Sequence, residues 1–144
     1  MLEEKMRIGG KKVEGEIGNF DVLNPFNGEK VGSVPRASEN QVDHAMEIAK
    51  NFQPELTRYE RQQILSKTAE LLVSRRDEIS DLITAESGLS KKDSLYEVGR
   101  AFDVFSLTGQ LCILDDGQIF SCDLTPHGQK RKIFTQREPL QGVI

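Results

Sequence analysis

TAESGLSKKDSLYEVGRAFDVF, residues Thr84 to Phe105, is the stretch that decides how this chain is read. It holds a helix end, a glycine stop, a fresh cap and the start of a second amphipathic helix. Gly88 suits a C-terminal cap, because glycine takes the left-handed conformation at little cost. Ser90 with Asp93 three residues on has the spacing of a capping pair, in a weaker form than Ser/Thr with Glu. Beyond it, Leu95, Val98, Phe102, Phe105 and Cys112 fall on one stripe of a helix predicted over about 91–114. Arg100 lies about 200° round that helix from Val98. It reads either as a solvated cation paired with Glu97 or Asp103, or as an anion anchor facing a cavity built by another part of the protein.

Working back from this helix, two more starts show the same signature: Ser38 with Gln41, and Thr57 with Glu60. The first predicts a helix over about 39–52, with Val42, Ala45, Met46, Ala49 and Phe52 on its apolar stripe and Pro54 after its end. The second predicts helix over 58–87, interrupted at Arg75-Arg76-Asp77, where the apolar pattern breaks. Upstream, Phe20–Leu23 and Lys30–Pro35 read as a hairpin, with Asn27-Gly28 favouring a primed turn. Residues 1–19 are polar and glycine-punctuated, and read as a loose leading segment with a short strand near Met6–Ile8.

Working forward, Asp115-Asp116-Gly117 stops the long helix and the apolar period changes to two. Phe120, Cys122 and Leu124 alternate with polar residues, and Lys130–Arg137 returns after the turn-rich Thr125-Pro126-His127-Gly128. A second hairpin, long and exposed, is expected there, and pairing with another subunit or domain would stabilise it. Gly142-Val143-Ile144 reads as the opening of a buried strand.

Composition narrows the function classes. The 144 residues are 37% hydrophobic and 29% charged with net charge −4, which fits a soluble globular chain and argues against a nucleic-acid partner. No apolar run approaches the ~20 residues of a bilayer crossing, so a cytoplasmic protein with no membrane contact is expected. There is no glycine-rich phosphate loop. Cys112, Cys122 and His127 have a spacing that matches no zinc pattern, so no metal site is expected. Both cysteines read as small hydrophobes. His44 and His127 have no partner or cleft assigned by position. Lys130-Arg131-Lys132 reads as a solvated edge that discourages aggregation.

Taken together, NPFNGEKVGSVPRAS at 24–38, Ala45 with Ala49, RYERQQILSKTAELLVSRRDEISDLITAESG at 58–88 and QREPLQGVI at 136–144 resemble the N-terminal part of the aldehyde dehydrogenase superfamily. Two segments, 86–105 and 115–144, look like the phosphonoacetaldehyde dehydrogenases within it. In particular, Leu140-Gln141 places one more residue before Gly142 than the plainer family junction has.

The resemblance implies an α/β fold of the aldehyde dehydrogenase type, present here as its N-terminal portion. That portion is a mainly helical layer with two β-hairpins, its Rossmann sheet absent or only begun. In that scheme residues 1–19 are a polar N-terminal segment and 20–114 the hairpin and helical layer of the cofactor-binding domain. Residues 115–139 are the hairpin of the oligomerisation element, and 140–144 start the first cofactor-domain strand. The intact enzyme is then an NAD-dependent homo-oligomer, joined through the hairpin at 117–137, that oxidises phosphonoacetaldehyde to phosphonoacetate. Lactaldehyde or a phosphorylated aldehyde is the alternative substrate, and a non-catalytic helical module binding a dehydrogenase subunit the alternative role. The family's catalytic asparagine, cofactor-binding lysine, general-base glutamate and nucleophilic cysteine lie downstream, so no catalytic or cofactor-binding residue maps onto this chain. The fragment alone is expected to be inactive and to bind NAD weakly at most. Only Arg100, in YEVGRAFDV, matches a position suggesting a substrate-binding residue, an anchor for the phosphonate.

Overall fold

The computed structural model describes residues 2–114 and 116–138. The expected strand at 140–144 lies outside the described residues. In chain order the elements are β1 (Leu2–Glu3), β2 (Met6–Ile8), β3 (Lys11–Val13), β4 (Asn19–Leu23), β5 (Lys30–Pro35), α1 (Glu39–Asn51), α2 (Arg58–Ser74), α3 (Arg76–Ser87), α4 (Lys91–Leu114), β6 (Ile119–Ser121) and β7 (Lys132–Phe134). Four helices carry small strand pairs, with no closed sheet among the described residues, which is the mainly helical layer with hairpins that the resemblance implies.

The leading segment is more ordered than its polarity suggests. β1 pairs in parallel with β5, extending the β4–β5 hairpin to three strands. β2 and β3 form a further hairpin, with Ile8 opposite Lys11. Its two-residue turn is Gly9-Gly10, both at positive φ (57° and 77°), which is the primed turn that matches strand twist. The β4–β5 loop is different. Gly28 alone takes positive φ there, so Asn27-Gly28 does not form the expected primed turn. Instead the Asn24 side chain accepts from Phe26 N (2.9 Å), and Asn24 O accepts from Gly28 N (2.8 Å). Pro25 and this asparagine bond build a longer loop that bypasses the two-residue turn.

The helix starts behave as their sequences predict. Ser38 with Gln41 and Thr57 with Glu60 are complete capping boxes. At α4, the Ser90 hydroxyl accepts from Asp93 N (3.2 Å) and donates to the Asp93 carboxylate (2.7 Å), so the shorter acid bonds the hydroxyl. Arg75 is the joint between α2 and α3, bonded through Nε to Glu78 at 2.8 Å. Gly88 ends α3 at φ 74°, its N–H donating to Thr84 O (2.9 Å). A Cβ at Gly88 would sit 2.9 Å from Pro25 Cγ, so this cap also packs on the β4–β5 loop.

The core lies between α2 and α4, where Ala69 and Val98 are the buried apolar side chains. Along α4 the most buried positions are Ser94, Val98 and Gly109, with Ala101, Phe105 and Cys112 half-buried on the same stripe. The buried face is thus rotated slightly from the expected one. Phe102 is at its rim, 37% exposed. Small residues explain the rotation. A Cβ on Gly109 would lie 3.6 Å from Leu65 Cβ and Ser66 Oγ, so the two helices approach closely there.

The second hairpin is short. Ile119 pairs with Phe134, Phe120 with Ile133 and Ser121 with Lys132, and one more cross-strand bond, from Thr135 N to Gln118 O (2.9 Å), extends it at the open end. Cys122 and Leu124 lie beyond β6, off the strand positions expected for them. Successive turns through Thr125–Arg131 use the backbone groups that a longer ladder would need: Gly128 N donates to Thr125 O and Arg131 N to Gly128 O.

Candidate functional site

α4 is held at its start by a polar seam with α3. Lys91 Nζ donates to Asp81 Oδ1 and Ser80 Oγ, both at 2.5 Å, and Ser80 is fully buried. Thr84 Oγ1 and Ser94 Oγ share a hydrogen bond of 2.8 Å. These contacts fix the rotation of the helix, and with it the direction in which Arg100 projects.

Arg100 points outward, with its side chain 62% exposed. Its Nη1 donates to Glu97 Oε1 (3.0 Å) and Oε2 (3.2 Å), and Asp103, the other expected partner, takes no part. The surroundings of Arg100 were missed at the level of sequence. Val104, Leu107, Leu111 and Leu114 follow it at spacings of four, three, four and three, all between 60% and 72% exposed. Arg100 therefore stands at the head of a second apolar stripe on α4 and not on a polar face. The signal was present as V-x-x-L-x-x-x-L-x-x-L in 104–114, but the inner stripe had already accounted for the helix.

The other candidates do not come together. His44 lines an open groove of about 870 Å³ with Ile48, Phe52 and Leu56, and none of its lining residues carries a hydroxyl or thiol. His127 sits in the turn between β6 and β7. Cys122 Sγ lies against Phe120 O at 3.7 Å. Cys112 shares a cleft of about 430 Å³ with Arg61, Arg137 and Leu111, and no histidine or carboxylate lines that cleft. Among the described residues, no group of three His, Cys, Asp or Glu side chains is placed to hold a metal. No described helix is long and apolar enough to cross a membrane. Nor do the described residues fit a dinucleotide. No glycine turn leads from a strand into a helix, which is the cradle a pyrophosphate needs, and the positive-φ glycines serve hairpins, loops and the α3 end.

The family model for the aldehyde dehydrogenase family matches residues 12–144. The chain belongs to the aldehyde dehydrogenase family. Solved structures of family members agree. Aldehyde dehydrogenase 21 from Physcomitrella patens, solved with the reaction product succinate, superposes at a TM-score of 0.81 with 27% identity, over 88% of this chain and 27% of that one. The NADP-dependent glyceraldehyde-3-phosphate dehydrogenase from Bacillus halodurans gives 0.77 and 27%, over 89% of this chain and 28% of that one. The NAD-dependent benzaldehyde dehydrogenase from Corynebacterium glutamicum gives 0.71 and 29%, over 78% and 26%. The aldehyde dehydrogenase chain described here thus spans about a quarter of the length of the structures it matches.

Proposed function

We propose that this chain is part of an NAD-dependent aldehyde dehydrogenase that oxidises phosphonoacetaldehyde to phosphonoacetate, and that Arg100 binds the phosphonate. The observation that carries the reading is the place of Arg100. It heads an apolar stripe that α2 and α3 leave uncovered, so whatever covers that stripe encloses the guanidinium beside an apolar wall. A small aldehyde with an anionic end suits that pairing, and a planar guanidinium matches a phosphonate by two parallel hydrogen bonds. The cofactors of the relatives divide between NAD and NADP. NAD is proposed from the likeness to the phosphonoacetaldehyde subgroup; the described residues themselves offer it no cradle. The ribbon of β6 and β7 exposes Ile119 and Phe134 on its faces, which supports its use at 117–137 as a contact between subunits of a homo-oligomer.

In the intact dehydrogenase, Arg100→Ala raises the KM for phosphonoacetaldehyde about tenfold or more, the loss of a hydrogen bond to a charged group, and leaves the KM for acetaldehyde within about twofold. Steady-state kinetics with both aldehydes checks this. Equal effects on the two substrates would remove Arg100 from the site, and a higher kcat/KM for lactaldehyde than for phosphonoacetaldehyde would replace the substrate. Residues 1–144 alone are expected to show no turnover with NAD, since Cys112 and Cys122 do not occupy the nucleophile's motif.

A further inference from the structure

A guanidinium has five N–H donors, and Glu97 uses only those on Nη1 of Arg100. Both carboxylate oxygens crowd the same nitrogen. The edge formed by Nε and Nη2, the one that suits bidentate binding of an anion, carries no bond among the described residues. Glu97 is one turn before Arg100 and is itself half-buried. Its negative charge therefore stands against the guanidinium at Nη1, outside the free edge but on the same cation. An i,i+3 ion pair of this exposure adds only about 0.2–0.5 kcal/mol to a helix, so stability gives little reason for a carboxylate here.

We infer that Glu97 is a specificity-determining residue: it steers Arg100 through Nη1, leaves the Nε–Nη2 edge for the substrate's anionic group, and weakens binding of that group by its own charge. This rests on the reading of Arg100 as the anion anchor. An aldehyde with an anionic end feels both charges, and the carboxylate offsets part of the attraction. An uncharged aldehyde feels neither. Glu97 thus sets how strongly the site prefers charged substrates, without touching the reacting carbon.

The test is Glu97→Gln in the intact dehydrogenase, which keeps the length and the oxygen acceptor and removes the charge. The probes are phosphonoacetaldehyde and acetaldehyde, each measured at low and high salt. The expected result is a KM for phosphonoacetaldehyde lowered about threefold to tenfold, the size of one charge–charge contact in a solvated site, with the gain shrinking in high salt. The kcat, and both constants for acetaldehyde, stay unchanged. Glu97→Asp retains the charge and keeps the parent preference. A purely structural role would move the two substrates together, and that result overturns the inference, as does an unchanged or raised KM for phosphonoacetaldehyde. Arg100→Ala separates the two levels. If it is selective for the anionic substrate while Glu97→Gln is silent, only the role of Glu97 fails. If it is not selective, the anchor fails and takes Glu97 with it.

Discussion

The two long faces of α4 carry opposite chemistry from what their burial would lead one to expect. The inner face is centred on the small residues Ser94, Val98, Ala101 and Gly109, with Phe105 half-buried beside them, and is the buried one. The outer face carries Val104, Leu107, Leu111 and Leu114, larger on average, and is exposed. Burial here follows how closely two helices can approach, not how much apolar surface a residue owns. Small side chains let α2 come near α4, and close approach excludes water more completely than a layer of leucines held further apart. The outer face has the composition of a core, yet among the described residues it stays largely exposed.

Substitutions on the two faces probe that contrast, from the largest expected effect to the smallest. Val98→Asp places an unpaired carboxylate among buried residues and should lower unfolding stability by about 3–5 kcal/mol in urea titrations. A loss below about 1 kcal/mol would show that the inner face admits water. Gly109→Leu overfills the contact with Leu65 and should cost about 1–3 kcal/mol. Gly109→Ala should be neutral or stabilising, because a Cβ there makes ordinary contact at 3.6 Å and alanine favours helix. On the outer face, Leu111→Ala in the same chain should stay within about 0.5 kcal/mol. Equal costs at 109 and 111 would erase the distinction between the faces. The smallest effect concerns the start of α2. Bonds from the Thr57 backbone N–H and then its side chain hold the Glu60 carboxyl below its ordinary value. A depressed carboxylate contributes fully above the unfolded-state value, about 4.3, and its contribution fades as pH falls through the lower folded value. Unfolding midpoints measured from about pH 6 to pH 3 should therefore drop slightly more for the parent than for Glu60→Gln.

Much of the helical layer was legible because its signals are local. Each cap needs two residues three apart, and the structure uses Ser38, Thr57 and Ser90 for that purpose. Gly88 and the break at Arg75 are likewise decided within a turn of chain. What sequence did not disclose depends on distant partners. Residues 1–19 look loose by composition, yet β1 finds β5 thirty positions away in register, Leu2 beside Gly32. Of the most buried positions of α4, Val98 was legible on the apolar stripe, but Ser94 and Gly109 carry no apolar signal: Ser94 is buried beside Thr84 of α3 and Gly109 against Leu65 and Ser66 of α2. Arg100 was singled out by its angle. Its apolar company was overlooked, because a helix with two apolar faces satisfies a single-stripe search at the first one found. The second hairpin was overextended because alternation predicts strand residues without showing whether turns between them leave the ladder enough backbone.

Gly88 has a consequence for how the sequence can drift. Its left-handed backbone alone would admit asparagine at a modest penalty. The Pro25 ring 2.9 Å from where a Cβ would stand closes that route as well. Two constraints of different origin, one torsional and one steric, fall on the same atom. Substitutions at these positions are therefore ordered: the loop must first lose the bulk of Pro25, sixty-three places earlier in the chain, before any other residue becomes acceptable at Gly88.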